Sequence, residues 1–314
     1  MGELMSVLIC GSLAYDHIMV FHDHFKNHIL PDKVHILNVS FLVPEMRREF
    51  GGCAGNIAYN LTLLDEQAQP MATVGTDFAP YATWLEGCGI DQTHVRPVAE
   101  AYTAQAFITT DLDDNQITAF HPGAMNFSHF NEVTDAKGTV MGIVSPDGRH
   151  GMIKHARRFA EAGIPFIFDP GQGLPMFNGE ELVQFLDQAT WVTVNDYEWE
   201  LLRARTGLTP QAVLERVEGL IITRGSKGSN IYVGDKELEI PLAPAQEELD
   251  PTGCGDAYRA GILYGLMNEL DWETTGRIAS LMGAIKIEHY GTQNHFFKRD
   301  EFEERFAKSF GYRL

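Results

Sequence analysis

From about residue 139 the chain alternates short, β-branched apolar runs with stretches of helical spacing, and no other feature restricts the fold as much. TVMGIVS (139–145), PFIFD (165–169), WVTVN (191–195) and GLIIT (219–223) are apolar and short, and read as buried strands. KHARRFAEAG, EELVQFLDQ and DYEWELLRARTG lie between them with helical spacing, and a glycine follows two of the three. Repeated βα order implies a mostly parallel sheet with helices on both faces, an α/β, three-layered αβα sandwich. VLICG (7–11) adds an inner strand to the same sheet.

Two segments break this rhythm. Residues 15–21 and 34–43 read as strands without an intervening helix, and TAQAFITT and QITAF, joined by the polar turn DLDDN, read as a hairpin. They predict a small second sheet built from insertions at about 15–50 and 101–122. No internal repeat or low-complexity linker is visible, so residues 1–314 read as one domain carrying this small sheet.

A chain of 314 residues with 44% apolar content buries a large core. Its net charge of −19 leaves no cationic excess to replace counterions on a nucleic acid or to hold an anionic membrane. No run approaches the ~20 apolar residues of a membrane span, and no signal peptide opens the chain. The start M-G-E-L-M-S fits a short myristoylation pattern, but a core strand follows almost at once, so these residues read as an extension. Cys10, Cys53, Cys88 and Cys254 show no C-x-x-C spacing and read as reduced, buried thiols of a cytoplasmic protein. His22, His24 and His28 lack metal-site spacing and read as a solvated loop.

Residues 250–256, D-P-T-G-C-G-D, run straight into the apolar helix-like stretch AYRAGILYGLM. A glycine-rich turn at a helix start presents backbone N–H groups to an anion, and the helix dipole adds to the attraction. Asp256, inside that turn, would lie beside the anion, where a base can deprotonate a hydroxyl while a phosphoryl group is held. An ordinary N-capped helix is the bland alternative. Two glycines around Cys254 and an acid at each end exceed what a cap needs.

Three further motifs fit that chemistry. In GSLAYD (11–16), Asp16 follows the first strand at its carboxyl end, where a carboxylate can accept two hydrogen bonds from a ribose diol; a turn-stabilising Asp is the alternative. In EFGGCAGNIAYNL (49–61), Gly51 and Gly52 permit close backbone approach before a helix, and Asn56 can both donate and accept. In NDYE (195–198), Asn195 and Glu198 share one face of a helix start; they suit either a capping arrangement or a carboxylate orienting Mg²⁺-bound water.

Together these segments resemble the PfkB or ribokinase-like sugar and nucleoside kinases, and the resemblance spans nearly the whole chain. It implies that Asp256 is the catalytic base and that the amides of Gly253, Cys254 and Gly255 form an anion hole. It implies that Ser12, Asp16, Gly52 and Asn56 hold the sugar, and that the small sheet is a lid. TRGSKGS (223–229) matches the family's nucleotide-pocket motif through Thr223, Gly225 and Gly228, with Arg224 adding charge, and Asn195 belongs to the same ATP side. Glu198 would act on Mg²⁺ through water, and Asp250 with Thr252 would hold potassium, helped by backbone near Gly291. LPDKVHILNVSFLV, FHPGAM and YGTQN look like the bacterial adenosine kinases of this family. Phe120 would stack on a purine, unless it is a lid core residue, and Gln172 would read a base or ribose edge. Ala106 stands where an aromatic is expected. The expected activity is thus ATP-dependent conversion of adenosine to AMP in purine salvage, by a homodimer paired through its lids. Open alternatives are another nucleoside (inosine, guanosine, cytidine), ribose, or a fructose phosphate read by Arg47 and Arg48. A non-catalytic nucleoside sensor is a further alternative, and a dinucleotide oxidoreductase lacks its Gly-x-Gly-x-x-Gly.

Overall fold

The computed structural model describes residues 6–36, 38–113 and 115–314; the first five residues of the opening extension lie outside that set. In chain order the elements are β1 (Ser6–Cys10), β2 (Ala14–Val20), β3 (Glu45–Gly51), α1 (Cys53–Leu63), β4 (Ala68–Val74), α2 (Ala79–Gly87), β5 (Val95–Pro97), β6 (Ala104–Thr110) and β7 (Gln116–His121). There follow β8 (Thr139–Val144), α3 (Arg149–Ala162), β9 (Phe166–Phe168), α4 (Gly179–Gln188), β10 (Trp191–Asn195), α5 (Asp196–Thr206), α6 (Pro210–Leu214) and β11 (Gly219–Thr223). A hairpin of β12 (Ser229–Val233) and β13 (Lys236–Ile240) leads to α7 (Cys254–Met267), α8 (Trp272–Ile287) and α9 (Arg299–Phe310).

Nine strands form one sheet in the order β13-β12-β11-β10-β9-β8-β1-β4-β5, parallel except along the β12 hairpin. The expected strands in the second half all belong to it. Side chains alternate across it with period two: Val7 and Ile9 face one core, and Leu8 and Cys10 face the other. The first core is closed by α1, α2, α7, α8 and α9, the second by α3 to α6. Each fully buried Phe or Leu in these cores contributes about 1.5–3 kcal/mol. The chain order reverses beside β1, between β4 and β8, and open α/β sheets bind ligands at the strand ends of such a reversal.

The small sheet runs β3-β2-β6-β7 and forms a lid over that end of the large one. Its strands are drawn from residues 14–20, 45–51, 104–110 and 116–121, and one expected strand differs. Of the expected strand 34–43, residue 37 lies outside the described residues and the others are not a strand: a 3-10 turn occupies Pro31–Ile36 and the pairing partner of β2 is Glu45–Gly51. Within this run Ile36 and Leu42 are exposed, and Phe41 alone of the three packs inward, against Phe21 and Phe25. The charged run around Arg47 and Arg48 pairs instead because the lid is thin and β3 is mostly solvated. In this connection His22, His24 and His28 each face a different acid, Glu45, Asp113 and Asp23. The four cysteines are free, but only Cys10 is fully buried. Among the described residues no helix is long and apolar enough to cross a membrane.

Helix α7 is held by a close crossing with α8. A Cβ on Gly261 would lie 2.4 Å from Cα of Ala279, so only glycine allows this approach. Gly261→Ala should lower stability by about 1–3 kcal/mol, the usual cost of overpacking, read as an earlier denaturant midpoint.

Candidate active site

Two cavities meet at the first turn of α7. One, of about 540 Å³, lies under the lid and is lined by Ser12, Asp16, Asn56, Phe120, Gln172 and Asp256, among others. The other, of about 330 Å³, opens beside Thr223, Gly225, Gly228, Cys254 and Gly255. The segments GSLAYD, EFGGCAGN, TRGSKGS and DPTGCGD, far apart in sequence, are thus gathered around one helix start.

That helix start is uncapped. Asn178, Asn195 and Asp271 cap α4, α5 and α8 with side chains, whereas α7 begins at Gly253 with a left-handed φ of 81° and no side-chain cap. The Cys254 amide donates to the Pro251 carbonyl at 3.2 Å, while those of Gly253, Gly255 and Asp256 have no acceptor among the described residues. Orphan amides at a positive helix end suit an anion. Of the three amides expected in the hole, Cys254 is the one otherwise engaged.

Asp256 is fixed from α1. Asn56 Nδ2 donates to its Oδ2 at 2.7 Å, and Gln293 Nε2 donates to Asn56 Oδ1 at 3.0 Å and to the Tyr81 hydroxyl at 2.7 Å. Trp84 Nε1 in turn donates to Gln293 Oε1 at 2.8 Å. This chain leaves one Asn56 orientation, with its amide toward the acid. Gly52 makes the α1 turn possible: its φ is 86°, and a Cβ there would meet the Ser12 carbonyl at 2.5 Å. Ser12 Oγ accepts from the Cys53 amide at 3.3 Å.

Burial, with the Asp169 charge behind it, raises the Asp256 carboxyl to about 6, against the pull of Asn56 and Arg259. Asp16 is also raised to about 6, by burial first and then by the charges of Asp256, Glu49 and Asp250. Asp16 sits on β2 opposite Glu49 and Ala106, and Ala106 in turn pairs with Phe120, so these side chains share the cleft face of the lid. Phe120 is 52% exposed, which places it at the cleft and not in a lid core.

The remaining motifs are distributed around this centre. Asn195 and Thr223 pair in register at the ends of β10 and β11. Asn195 and Glu198 form a reciprocal capping box at 2.7 and 2.8 Å, and burial followed by the Asp169 charge raises the Glu198 carboxyl. Arg224 is not brought to either cavity: its guanidinium donates to the Lys227 carbonyl at 3.3 Å and faces Glu239. Asp250 Oδ1 accepts from the Thr252 amide and Oδ2 from the Gly291 amide, both at 2.9 Å. Arg48 lies over the Tyr15 ring, on the lid face away from Asp16, and Arg47 stands between Glu49 and Asp250.

The profile of the pfkB family carbohydrate kinases matches residues 11–298. The chain belongs to this family. The nucleoside kinase of Methanocaldococcus jannaschii is 33% identical over 98% of this chain and 99% of its own length. That of Methanothermobacter thermautotrophicus is 31% identical over 99% of both. A structure of Burkholderia thailandensis nucleoside kinase in complex with inosine superposes with a TM-score of 0.90 at 52% identity, covering 98% of this chain and 99% of that one. As a pfkB-family enzyme the protein is a phosphotransferase acting on an alcohol of the sugar or nucleoside class.

This pfkB-family kinase also uses residues that no motif announced. Arg259, on α7, makes a two-pronged pair with Asp169 at the end of β9, at 3.0 and 2.9 Å, and both are buried. A lone arginine inside the apolar run AYRAGILYGLM is the signal that could have revealed it. Asp147, lining the lid cavity, is 2% exposed and raised by burial to about 8.

Because Asp256 holds its proton more tightly folded than the usual 3.8 of an unfolded chain, its ionisation opposes folding above about pH 6. Asp256→Asn should therefore melt higher than wild type at pH 8, and the gain should vanish at pH 4, by calorimetry without ligands.

Proposed function

We propose that the enzyme transfers the γ-phosphoryl group of ATP to the 5′-hydroxyl of a purine nucleoside, with inosine the leading acceptor. The observation that carries this is the meeting of the lid cavity and the Thr223 cavity at Asp256 and the orphan amides of α7. An acceptor in the first and a nucleotide in the second would bring the hydroxyl and the phosphoryl together at that turn.

On this reading Asp16 and Asn56 hold the ribose hydroxyls with Ser12 and the backbone at Gly52, while Phe120 stacks on the base and Gln172 reads its edge. Asn195, Thr223, Gly225 and Gly228 border the nucleotide; Arg224, engaged with Lys227 and Glu239, does not. Asp256 takes the 5′-hydroxyl proton as the O5′–Pγ bond forms and the bond from Pγ to the ADP oxygen breaks. The amides of Gly253 and Gly255 and the α7 dipole meet the charge on the transferred group. Among the described residues no group of three or more His, Cys, Asp or Glu could enclose a metal. A single carboxylate, Glu198, suits Mg²⁺, which keeps much of its water and rides on substrate phosphates. When bound, that ion would neutralise charge on the triphosphate.

The resemblance to adenosine kinases made adenosine the expected acceptor. The relatives favour the broader nucleoside alternative, since three are nucleoside kinases and the one at 52% identity is described with inosine. Arg48, turned away from the cleft, weakens the fructose-phosphate alternative. The lid supports the homodimer reading with a second copy: Met46, Phe107 and Ile117 lie on its outer face and are exposed.

ADP release across inosine, adenosine, guanosine, cytidine, ribose and fructose phosphates tests the assignment. Inosine should be turned over well, and preference for a free sugar would defeat the base-pocket reading. Asp256→Asn should lose at least ~10²–10⁴ in turnover with the nucleoside KM little changed. Phe120→Ala should weaken nucleoside binding by about 1–3 kcal/mol, the worth of one base–aromatic stack, read in KM. In wild type, kcat/KM should fall as pH drops through about 6, where Asp256 and Asp16 titrate as a coupled pair.

A further inference from the structure

The potassium expected at Asp250 and Thr252 meets a site that already holds an ammonium group. Both carboxylate oxygens of Asp250 accept backbone amides. Its carbonyl oxygen accepts from Lys286 Nζ at 2.7 Å, and the same ammonium donates to the His289 carbonyl at 3.0 Å. Lys286, in the last turn of α8, is 0% exposed. A lysine at a helix end ordinarily caps nearby carbonyls, and the His289 contact is of that kind. Full burial and a second contact to the loop entering α7, 36 residues away in sequence, are not explained by capping.

We infer that the Lys286 ammonium takes the place of a monovalent cation beneath the first turn of α7, so that this enzyme works without potassium. The surroundings call for a positive charge. The charges of Asp256, Glu49 and Asp250 all raise the proton affinity of Asp16, Arg47 answers Glu49 and Asp250 from the lid side, and a phosphoryl group at α7 would add more negative charge. Burial and the nearby Arg47 charge lower the affinity of Lys286 for its proton, while Cys254 and the Asp250 charge oppose that. Asp250 itself is pushed up by burial, but the amides of Gly291 and Thr252 and the Lys286 charge outweigh this and hold it low. A tethered ammonium supplies the charge with two carbonyls already oriented to it, whereas a free ion would have to shed its water. A potassium ion entering beside it would meet the like charges of Lys286 and of Arg47, which stands 3.7 Å from Asp250 Oδ2, and an Asp250 carbonyl already engaged.

This inference rests on the reading of the α7 turn as the phosphoryl site, and the two can fail separately. Turnover of wild type is measured with inosine and Mg-ATP in potassium, sodium and choline chloride at equal ionic strength, alongside thermal melting in the same salts. Equal rates and equal melting temperatures are expected. Lys286→Ala should lose roughly 10²-fold in turnover, as when one transition-state electrostatic partner is removed. Potassium or ammonium should partly restore it and raise its melting temperature, while choline should not. A strong potassium requirement in wild type would overturn the inference. So would a folded Lys286→Ala with full turnover, or one whose loss no cation restores. If Lys286→Ala does not fold, Lys286→Met and the wild-type salt series carry the test. Wild type inactive on every acceptor would count against the proposed function, while potassium-specific melting of wild type would still count against the role of Lys286.

Discussion

Arg259 carries a permanent charge in a largely buried position, so its place in α7 is tolerable because Asp169 meets both prongs of its guanidinium. Removing one member of such a pair typically costs about 3–5 kcal/mol, because the other is left charged and dry. The pair joins α7 to the carboxyl end of β9 and fixes the orientation of the helix whose first turn forms the site. It also sets the electrostatics: Arg259 lowers and Asp169 raises the proton affinity of Asp256. Structure and charge balance at the cleft thus share one anchor.

Around that anchor the fold accepts local conflicts. Acids are gathered, and a helix start is left without a cap. A glycine in α7 trades side-chain packing for closeness to α8. Each of these opposes stability locally and is offset by the two large cores on either side of the sheet. A site built this way holds its carboxylates at proton affinities useful near neutral pH, which a solvated surface acid does not reach.

Much of this was legible in the sequence. The strands at 141–144, 191–194 and 219–222 are buried on both faces and show as predominantly apolar runs. The glycine-rich motifs were legible because chemistry at a helix start requires particular residues at fixed spacing. By contrast α8 is buried nearly all round, so it has no polar stripe to betray a helix, and β3 is a strand made largely of charged residues. Gln293, Arg259, Asp169 and Lys286 act through partners tens to hundreds of residues away, which no local pattern encodes. Arg259 and Lys286 leave a trace as charged residues inside apolar segments, a sign that a partner exists but not of which one.

The lid is stitched to the body by several separate chain passages. Strand β2 leaves the end of β1 through Gly11–Leu13, β3 re-enters at Gly52, and β6 arrives through Thr103, whose amide donates to Asp77 Oδ1 at 2.7 Å. A plate hung from several threads would, if it moved, tilt as a unit. Asp16 rides on that plate and Asp256 on the body. Any tilt therefore changes the gap between the group that would grip the acceptor and the group that would deprotonate it. On the proposed reading, such coupling would tie recognition of the acceptor to completion of the catalytic centre and guard the nucleotide against attack by water while the cleft is empty.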